Sequence, residues 1–171
     1  KNRNILLTEE QIKSEISKIG EILTNDYKDK NLYVLSLLRG SFIFAADLVR
    51  AIDTKTQIGF MTTSSYGASE ESSGTIKIIN DIPDNIEGLD VLIVDDIMDT
   101  GYTMEFIVNH VKKLGAKSVK TCTLLDKPSR RKVDLTPDYC CFTIEDLFVV
   151  GYGLNYGDYY RNVPYIFNWE K

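Results

Sequence analysis

Histidine is almost absent from this sequence, and the only one is His110. A single histidine excludes a histidine-rich metal site and disfavours a Ser-His-Asp triad. Cysteine is also scarce: Cys122, Cys140 and Cys141 lie in apolar segments, and their number is odd. Such cysteines predict reduced thiols in or near the core and a reducing compartment. A catalytic thiol is a weaker alternative, because the one histidine falls in the middle of a predicted helix.

Long apolar runs are missing too. No segment approaches the length of a membrane span, and no signal peptide is visible. The formal net charge of -5 disfavours a protein that binds nucleic acid by neutralising its phosphates. The 43% of hydrophobic and 26% of charged residues match an ordinary soluble globular protein. We therefore expect one cytoplasmic domain over residues 1–171, with no membrane and no nucleic-acid partner.

The segment from Val91 to Thr103, VLIVDDIMDTGYT, is the most informative in the chain. Its first four apolar residues predict a strand buried on both faces, with Asp95 and Asp96 at the carboxyl end. A turn of small residues follows, and an apolar-periodic helix begins at Met104. Ligands of open α/β sheets bind at the carboxyl ends of strands, and a helix N-terminus favours phosphate. Because the acids suit sugar hydroxyls or Mg²⁺, the segment predicts a site for a sugar phosphate.

Two other segments extend this pattern. Leu37–Ser41, LLRGS, has the same order of strand, sharp turn and helix start, with a cation beside it. On its own it is either a common βα turn or a second anion site. Ser64–Gly74 is polar and rich in small residues. It is either a plain connection or a lid, which a water-sensitive reaction centre needs.

Three positions near the C-terminal end each have two interpretations. Lys127 is either a solvated loop charge or a donor to the carbonyl oxygen of a planar base. Phe148 is either a core residue or a stacking surface for that base, whose edge the Val149 backbone would contact. Arg161 is either a surface cation or a clamp for pyrophosphate.

Strands alternate with helices along the chain. Thr8 and Gln11 form a capping box that opens a helix, and Phe42–Ile52 is a second helix. The predicted strands are Leu32–Leu38, Gln57–Thr63, Thr75–Asn80, Val91–Val94, Ser118–Leu125, Tyr139–Thr143, Phe148–Val150 and Tyr165–Phe167. The alternation predicts an α/β protein with a mostly parallel, twisted sheet and right-handed crossovers.

Five segments, in the order LLRGS, SSYG, VLIVDDIMDTGYT, LLDKP and FVVGYGLNYGDYYRN, resemble a known family. They are similar to the hypoxanthine(-guanine) phosphoribosyltransferases, the purine-salvage branch of the type I phosphoribosyltransferases. The resemblance runs from about Leu35 to Pro164. It implies the type I phosphoribosyltransferase fold, with a core over about 28–150 and a small hood from the N-terminal segment and 151–171.

The resemblance also implies an activity. The family transfers the 5-phosphoribosyl group from phosphoribosyl pyrophosphate (PRPP) to hypoxanthine, and we expect guanine as well. The products are IMP or GMP and pyrophosphate, the cofactor is Mg²⁺, and we expect a homodimer or homotetramer. Xanthine phosphoribosyltransferase and a non-catalytic, nucleotide-sensing regulator with the same fold are the alternatives. Lys127 argues against adenine, which has no 6-oxo group.

Individual roles follow from the resemblance as well. Asp99 is the general acid/base, and it contributes to PRPP binding together with Asp95 and Asp96, which also hold Mg²⁺. The 5′-phosphate is bound by Thr100, Gly101, Tyr102 and Thr103. Pyrophosphate is bound by Leu38, Arg39, Gly40 and Arg161, with a non-proline cis peptide at Leu38–Arg39. The purine is bound by Lys127, Phe148 and Val149. The mobile-loop signature is Ser64, Ser65, Tyr66 and Gly67.

The chain departs from the family pattern at Asn155, where the family usually has Asp. That Asp helps to hold a metal ion on the pyrophosphate side. An amide oxygen still ligates Mg²⁺ but brings no charge. We therefore expect Asn155 to bind this second ion weakly.

Overall fold

The structure is a computed structural model that describes residues 3–66 and 75–169. Its strands are β1 (Asn4–Leu7), β2 (Leu32–Leu38), β3 (Thr56–Tyr66), β4 (Thr75–Asn80), β5 (Asp90–Met98), β6 (Ser118–Asp126), β7 (Tyr139–Thr143), β8 (Val149–Val150) and β9 (Ile166–Asn168). Its helices are α1 (Glu9–Asp26), α2 (Phe42–Arg50) and α3 (Tyr102–Lys113), with a short 3₁₀ turn at Pro128–Arg130. Six strands form the central sheet in the order β4-β3-β2-β5-β6-β7. All neighbours are parallel except β3 and β4.

The central strand β5 is buried on both faces, as its apolar start predicts. Val91 and Ile93 pack into one core cluster, and Leu92 and Val94 pack into the other. Helices α1 and α2 contribute to the second of these clusters, and α3 contributes to the first. Each such side chain stabilises the fold by about 1.5–3 kcal/mol relative to exposure. The sheet is therefore a rigid platform whose β2 and β5 both lead directly into helices.

Helix α1 begins where the sequence predicts. Thr8 is the N-cap: its Oγ1 accepts the Gln11 N–H at 3.1 Å, and the Gln11 side chain accepts the Thr8 N–H at 2.8 Å. The buried side of the helix carries Ile12, Ile16, Ile19 and Leu23. The cap fixes the start of α1, and the apolar stripe fixes the face that it turns toward the sheet.

A second, three-stranded sheet has the order β1-β9-β8. It joins the two ends of the chain, because Asn4 pairs with Asn168 and Ile5 pairs with Phe167. The sequence pattern does not predict β1, and it predicts β9 one residue too early. The division of the chain into a core and a hood stays a prediction.

The boundary of the predicted loop at Ser64 is wrong. Strand β3 continues through Tyr66, and Ser64, Ser65 and Tyr66 pair with Lys77, Ile76 and Thr75 of β4. Composition reports the polarity of side chains, whereas this ladder is made by backbone groups, so the polar stretch still forms a strand. Gly67 and the rest of the predicted lid, 67–74, lie outside the described residues, and the lid stays a prediction.

The three cysteines are free, as expected. Cys122 and Cys141 are buried and Cys140 is partly buried. Burial is the main cause that raises the pKa of each thiol. Since the thiolate is the nucleophilic form, the raised pKa disfavours the alternative of a catalytic thiol. None of the helices within residues 3–66 and 75–169 is long and apolar enough to cross a membrane.

Candidate active site

The carboxyl ends of β2 and β5 lie side by side and together form one candidate site. The two strands are parallel neighbours, and Ser36 pairs with Val94. The turn after β2 consequently reaches the acids at the end of β5. A Cβ atom added to Gly40 would overlap the carboxylate of Asp96. The turn after β2 is therefore in direct contact with Asp96 of the acid pair.

Asp95 and Asp96 lie inside β5, which extends to Met98, rather than after the strand. Each carboxylate accepts the N–H of the next residue: Asp96 N–H donates to Asp95 Oδ1 at 2.9 Å, and Ile97 N–H donates to Asp96 Oδ1 at 2.8 Å. Burial, followed by repulsion from Asp96, raises the pKa of Asp95, and burial also raises the pKa of Asp96. Hydroxyl donors or a cation would relieve this repulsion.

The donor set also fits Mg²⁺. Carboxylates are the hard oxygen ligands that Mg²⁺ prefers, and the ion is commonly held by one or two of them together with substrate phosphates. No group of three or more His, Cys, Asp or Glu residues that could hold a metal occurs within the described part of the chain. An acid pair that shares the ion with a phosphorylated substrate agrees with both facts.

The turn after β5 has the geometry of an anion site. Gly101 has a φ of 93°, and a Cβ atom there would lie 2.5 Å from Val133 Cγ2. Helix α3 begins at the next residue, so its first N–H groups have no partner within the helix. A cavity of about 140 Å³ opens here, lined by Asp95, Ile97, Met98, Asp99, Thr100, Gly101, Thr103 and Met104. The helix N-terminus and the two threonines favour a phosphate in this cavity.

Arg131 supports this turn from the other side. Its guanidinium donates to the carboxylate of Asp126, to Leu135 O at 2.7 Å and to Asp99 O at 3.2 Å. Only 12% of the Arg131 side chain and 9% of the Asp126 side chain are exposed. The sequence gives no signal for this role of Arg131, because nothing in the spacing indicates its buried partner.

Arg131→Met should lower the free energy of unfolding by about 3–5 kcal/mol, because it leaves the Asp126 carboxylate buried without its cation. Denaturation by urea, followed by fluorescence or circular dichroism, measures the change. The matched control is Arg50→Met, since the ion pair of Arg50 with Asp47 is exposed, at 70% and 36%. The control should lose about 1 kcal/mol or less. Equal losses in both variants would contradict the structural role of Arg131.

The residues predicted to bind a purine lie beyond the end of β5. Lys127 is only 8% exposed, and its N–H donates to Met98 O at 2.9 Å. A solvated loop charge does not fit this burial. Phe148 is 53% exposed, with its ring edge-on to Tyr156 at 5.8 Å, so the core interpretation of Phe148 is wrong. Val149, in contrast, is buried in β8.

The residues predicted to bind pyrophosphate lie at and around the turn after β2, next to Asp96. The Leu38–Arg39 peptide is cis, as the resemblance implies, and Arg39 is exposed. Gly153, with a φ of 99°, packs against the carbonyl oxygen of Gly40. Arg161 donates to Gly153 O at 2.6 Å, and its charge opposes the rise in the pKa of Asp96. Arg161 is therefore close enough to the acid pair to affect the pKa of Asp96. A distant surface cation would not have this effect.

Asn155 lies in the same turn and is exposed. Its Nδ2 donates to Gly157 O at 2.7 Å, so the side chain is fixed by the turn itself. The preceding Tyr152 is buried and donates to the carboxylate of Asp47 on α2. These two contacts anchor the segment that carries the departure from the family pattern.

Residues 2–157 match the model of a family described as phosphoribosyl transferase domain. The chain belongs to the phosphoribosyltransferase family. It is 46% identical over 162 residues to the hypoxanthine-guanine phosphoribosyltransferase of Bacillus subtilis, which covers 95% of this chain and 90% of that protein. It is also similar to crystal structures of two further phosphoribosyltransferases.

The first of these structures is a hypoxanthine phosphoribosyltransferase from Staphylococcus aureus, with a TM-score of 0.95, 44% identity and coverage of 98% of this chain and 91% of that one. The second is a hypoxanthine-guanine phosphoribosyltransferase from Bacillus anthracis, with a TM-score of 0.96, 41% identity and coverage of 99% and 100%. The predicted fold and the resemblance to purine-salvage phosphoribosyltransferases are confirmed. The roles of individual site residues stay predictions.

Two charged residues near Asp99, the predicted general acid/base, are not predicted by the sequence. Arg130 Nε lies 2.5 Å from Asp99 Oδ1, and Arg130 Nη1 lies 3.6 Å from Asp146 Oδ2. No motif or spacing in the sequence indicates a role for Arg130 or Asp146. Both contacts depend on the orientation of the 3₁₀ turn at Pro128–Arg130, for which the sequence has no periodic signal.

Proposed function

We propose that this phosphoribosyltransferase transfers the 5-phosphoribosyl group of PRPP to hypoxanthine and guanine, forming IMP or GMP and pyrophosphate. The observation that carries the proposal is that the acid pair, the phosphate turn and the buried Lys127 meet at the end of β5. The relatives named for hypoxanthine and guanine favour this activity over a xanthine enzyme or a nucleotide-sensing regulator.

PRPP would bind across the two turns. Its 5′-phosphate would accept hydrogen bonds from the backbone of the Thr100–Thr103 turn and from the two threonine hydroxyls. Asp95 and Asp96 would accept hydrogen bonds from the ribose hydroxyls. The pyrophosphate would lie at Arg39 and Gly40, with Arg161 as the cation on the far side.

Asp95 and Asp96 would also hold Mg²⁺, with Asn155 as a weak ligand on the pyrophosphate side. When bound, Mg²⁺ neutralises the departing pyrophosphate. The neighbouring carboxylates favour the positive charge that develops on the ribose as its bond to pyrophosphate breaks. The acid pair therefore contributes to binding and to stabilising the transition state.

The purine would bind on the other side of the ribose. Phe148 would stack on the ring, the Val149 backbone would contact its edge, and Lys127 would donate to the 6-oxo oxygen. Asp99 would accept the proton of the imidazole nitrogen as the bond from that nitrogen to the anomeric carbon forms. Lys127 would in this way discriminate between 6-oxopurines and adenine.

The remaining expectations form part of the same proposal. We propose that the sheet made by β1, β9 and β8 is the hood over the site and that the protein is cytoplasmic. We also propose that it assembles as a homodimer or homotetramer and that the part of the predicted lid beyond Tyr66 closes over bound PRPP. The free state of all three cysteines is consistent with a reducing compartment.

Asn155→Asp should lower the Mg²⁺ concentration needed for half-maximal rate by roughly fivefold, the size of one partly screened charge interaction of about 1 kcal/mol. It should also raise kcat, because a carboxylate is a better Mg²⁺ ligand than an amide. Initial rates over a Mg²⁺ titration measure both. Asn109→Asp, which adds the same charge at an exposed position of α3, should change neither quantity. An unchanged Mg²⁺ dependence in Asn155→Asp would show that Asn155 is a neutral replacement.

The proposed substrate range is tested by kcat/KM for hypoxanthine, guanine, xanthine and adenine at saturating PRPP and Mg²⁺. Hypoxanthine and guanine should be the preferred substrates, and adenine should be the poorest. A preference for xanthine would instead support the first alternative. Salt-sensitive binding to DNA or RNA without phosphoribosyl transfer would support the regulator.

A further inference from the structure

A row of four side chains of alternating charge runs from Lys127, the predicted donor to the purine, to Asp99, the predicted general base. Lys127 Nζ lies 3.6 Å from Asp146 Oδ1, and Asp146 Oδ2 lies 3.6 Å from Arg130 Nη1. Arg130 Nε in turn lies 2.5 Å from Asp99 Oδ1. Asp146 therefore divides its carboxylate between two cations, and only the contact of Arg130 with Asp99 is a short hydrogen bond.

The backbone holds both cations on one short turn. Arg130 N–H donates to Lys127 O at 3.1 Å, and Lys127 N–H is fixed to the end of β5. The Arg130 side chain is 23% exposed and the Asp99 side chain is 40% exposed, so their ion pair is partly shielded from water. It is consequently stronger than a fully solvated surface pair.

These contacts compete with the proposed function. Lys127 gives up part of its interaction with Asp146 when its ammonium group turns toward a 6-oxo oxygen. Asp99 Oδ1 already accepts a short hydrogen bond from Arg130, so an imidazole N–H that approaches this oxygen competes with Arg130 for its charge. A purine therefore perturbs both ends of the charge network as it binds.

We propose that Arg130 and Asp146 are positioning residues that make Asp99 available only when a 6-oxo group engages Lys127. When Lys127 turns to the purine oxygen, Asp146 loses one of its two cations. The uncompensated carboxylate then attracts Arg130 more strongly and draws it away from Asp99. Asp99 is released to accept the imidazole proton. The inference rests on the proposed function and adds a second source of base specificity to the direct contact with Lys127.

The experiment compares kcat for hypoxanthine with kcat for unsubstituted purine, which has the same imidazole ring but no 6-oxo group. Single-turnover rates with saturating PRPP and Mg²⁺ report the chemical step. Arg130→Gln removes the ion pair with Asp99, so it should raise the rate with purine by roughly 5–150-fold, the usual range of a coupling between two sites. The rate with hypoxanthine should change much less, because that base already releases Asp99.

Asp146→Asn should have the opposite effect. Without the charge of Asp146, its pull on Arg130 is lost, so the rate with hypoxanthine should fall toward the rate with purine, while the KM for PRPP stays unchanged. The double variant Arg130→Gln/Asp146→Asn should behave like Arg130→Gln, since Asp146 acts only through Arg130. Arg130→Lys keeps the charge and should restore part of the preference for hypoxanthine. Lys132→Gln, an exposed cation on the same loop, is the control and should keep both rates.

An equal loss of rate with both bases in Arg130→Gln would overturn the proposal and leave Arg130 as a brace for the loop. So would a rate with hypoxanthine that Asp146→Asn does not change. If the unmodified protein transfers no phosphoribosyl group to hypoxanthine, the proposed function fails together with this inference. Transfer by the unmodified protein, combined with either of the first two results, overturns the inference alone.

Discussion

Asp99→Asn should lower kcat by roughly 10²–10⁴-fold, which is the usual range for the loss of a general acid/base. The protein should stay folded and should still bind PRPP. The amide has nearly the same shape as the carboxylate, and its oxygen can still accept a hydrogen bond from Arg130 Nε. It cannot accept the imidazole proton of the purine. The loss should therefore appear in kcat and leave the affinity for PRPP nearly unchanged.

Steady-state rates, calorimetric titration with PRPP and a thermal melt separate these effects. The control is Asp81→Asn. Asp81 is exposed and pairs with His110, and neither residue belongs to the predicted site. Its kcat should equal that of the unmodified protein. Near-parental turnover in Asp99→Asn would show that Asp99 is only part of the turn before α3.

Gly40→Ala should reduce kcat/KM for PRPP by roughly 10²-fold, the size of effect expected for a displacement of about 1 Å in a catalytic site. A Cβ atom at this position would overlap the carboxylate of Asp96, and the Gly40 carbonyl is already in contact with Gly153. Neither neighbour can give way without moving a part of the site. Either Asp96 leaves the position from which it is proposed to bind the ribose and Mg²⁺, or the turn moves away from the proposed pyrophosphate site.

Gly88→Ala is the matched control for this substitution. Gly88 has a φ of 75°, so alanine there is strained, but within the described part of the chain no atom beyond its two chain neighbours lies within 4 Å of the added Cβ. The control should lose stability without losing kcat/KM, because its strain is remote from the site. If Gly40→Ala keeps kcat/KM within about twofold, the turn after β2 and the acid pair are not the rigid unit described above.

The core of the fold follows from local patterns in the sequence. Val91–Val94 is apolar at every position, which predicts burial on both faces, and all four side chains are fully buried. The capping box at Thr8 predicts the start of α1. These elements are predictable because the physical cause, a run of apolar residues or a hydrogen-bonding cap, is contained within a few neighbouring residues.

The missed elements depend on partners that are distant in sequence. Strand β1 is only four residues long and mostly exposed, and it exists because β9 pairs with it from the other end of the chain. Ser64–Tyr66 is polar but is held by the backbone of β4. Strands of this kind have no alternating pattern from which they could be predicted.

The features of the candidate site also fall into two groups, those that local sequence predicts and those that depend on distant residues. The acid pair and the phosphate turn were predictable, because one strand, one turn and one helix start carry them. The interpretation of Arg161 stayed open in the sequence, and its position near Asp96 became evident only in the fold. The pair formed by Arg130 and Asp99 joins residues 31 positions apart through a turn without periodicity.

The proposed reaction exchanges the pyrophosphate of PRPP for a 6-oxopurine. The most direct measurement incubates the purified protein with PRPP, Mg²⁺ and isotopically labelled hypoxanthine, and quantifies labelled IMP and pyrophosphate over time. The two products should appear in equal amounts, and neither should form when PRPP or hypoxanthine is omitted. Pyrophosphate release without labelled IMP, or no product at all from folded protein, would contradict the proposed reaction.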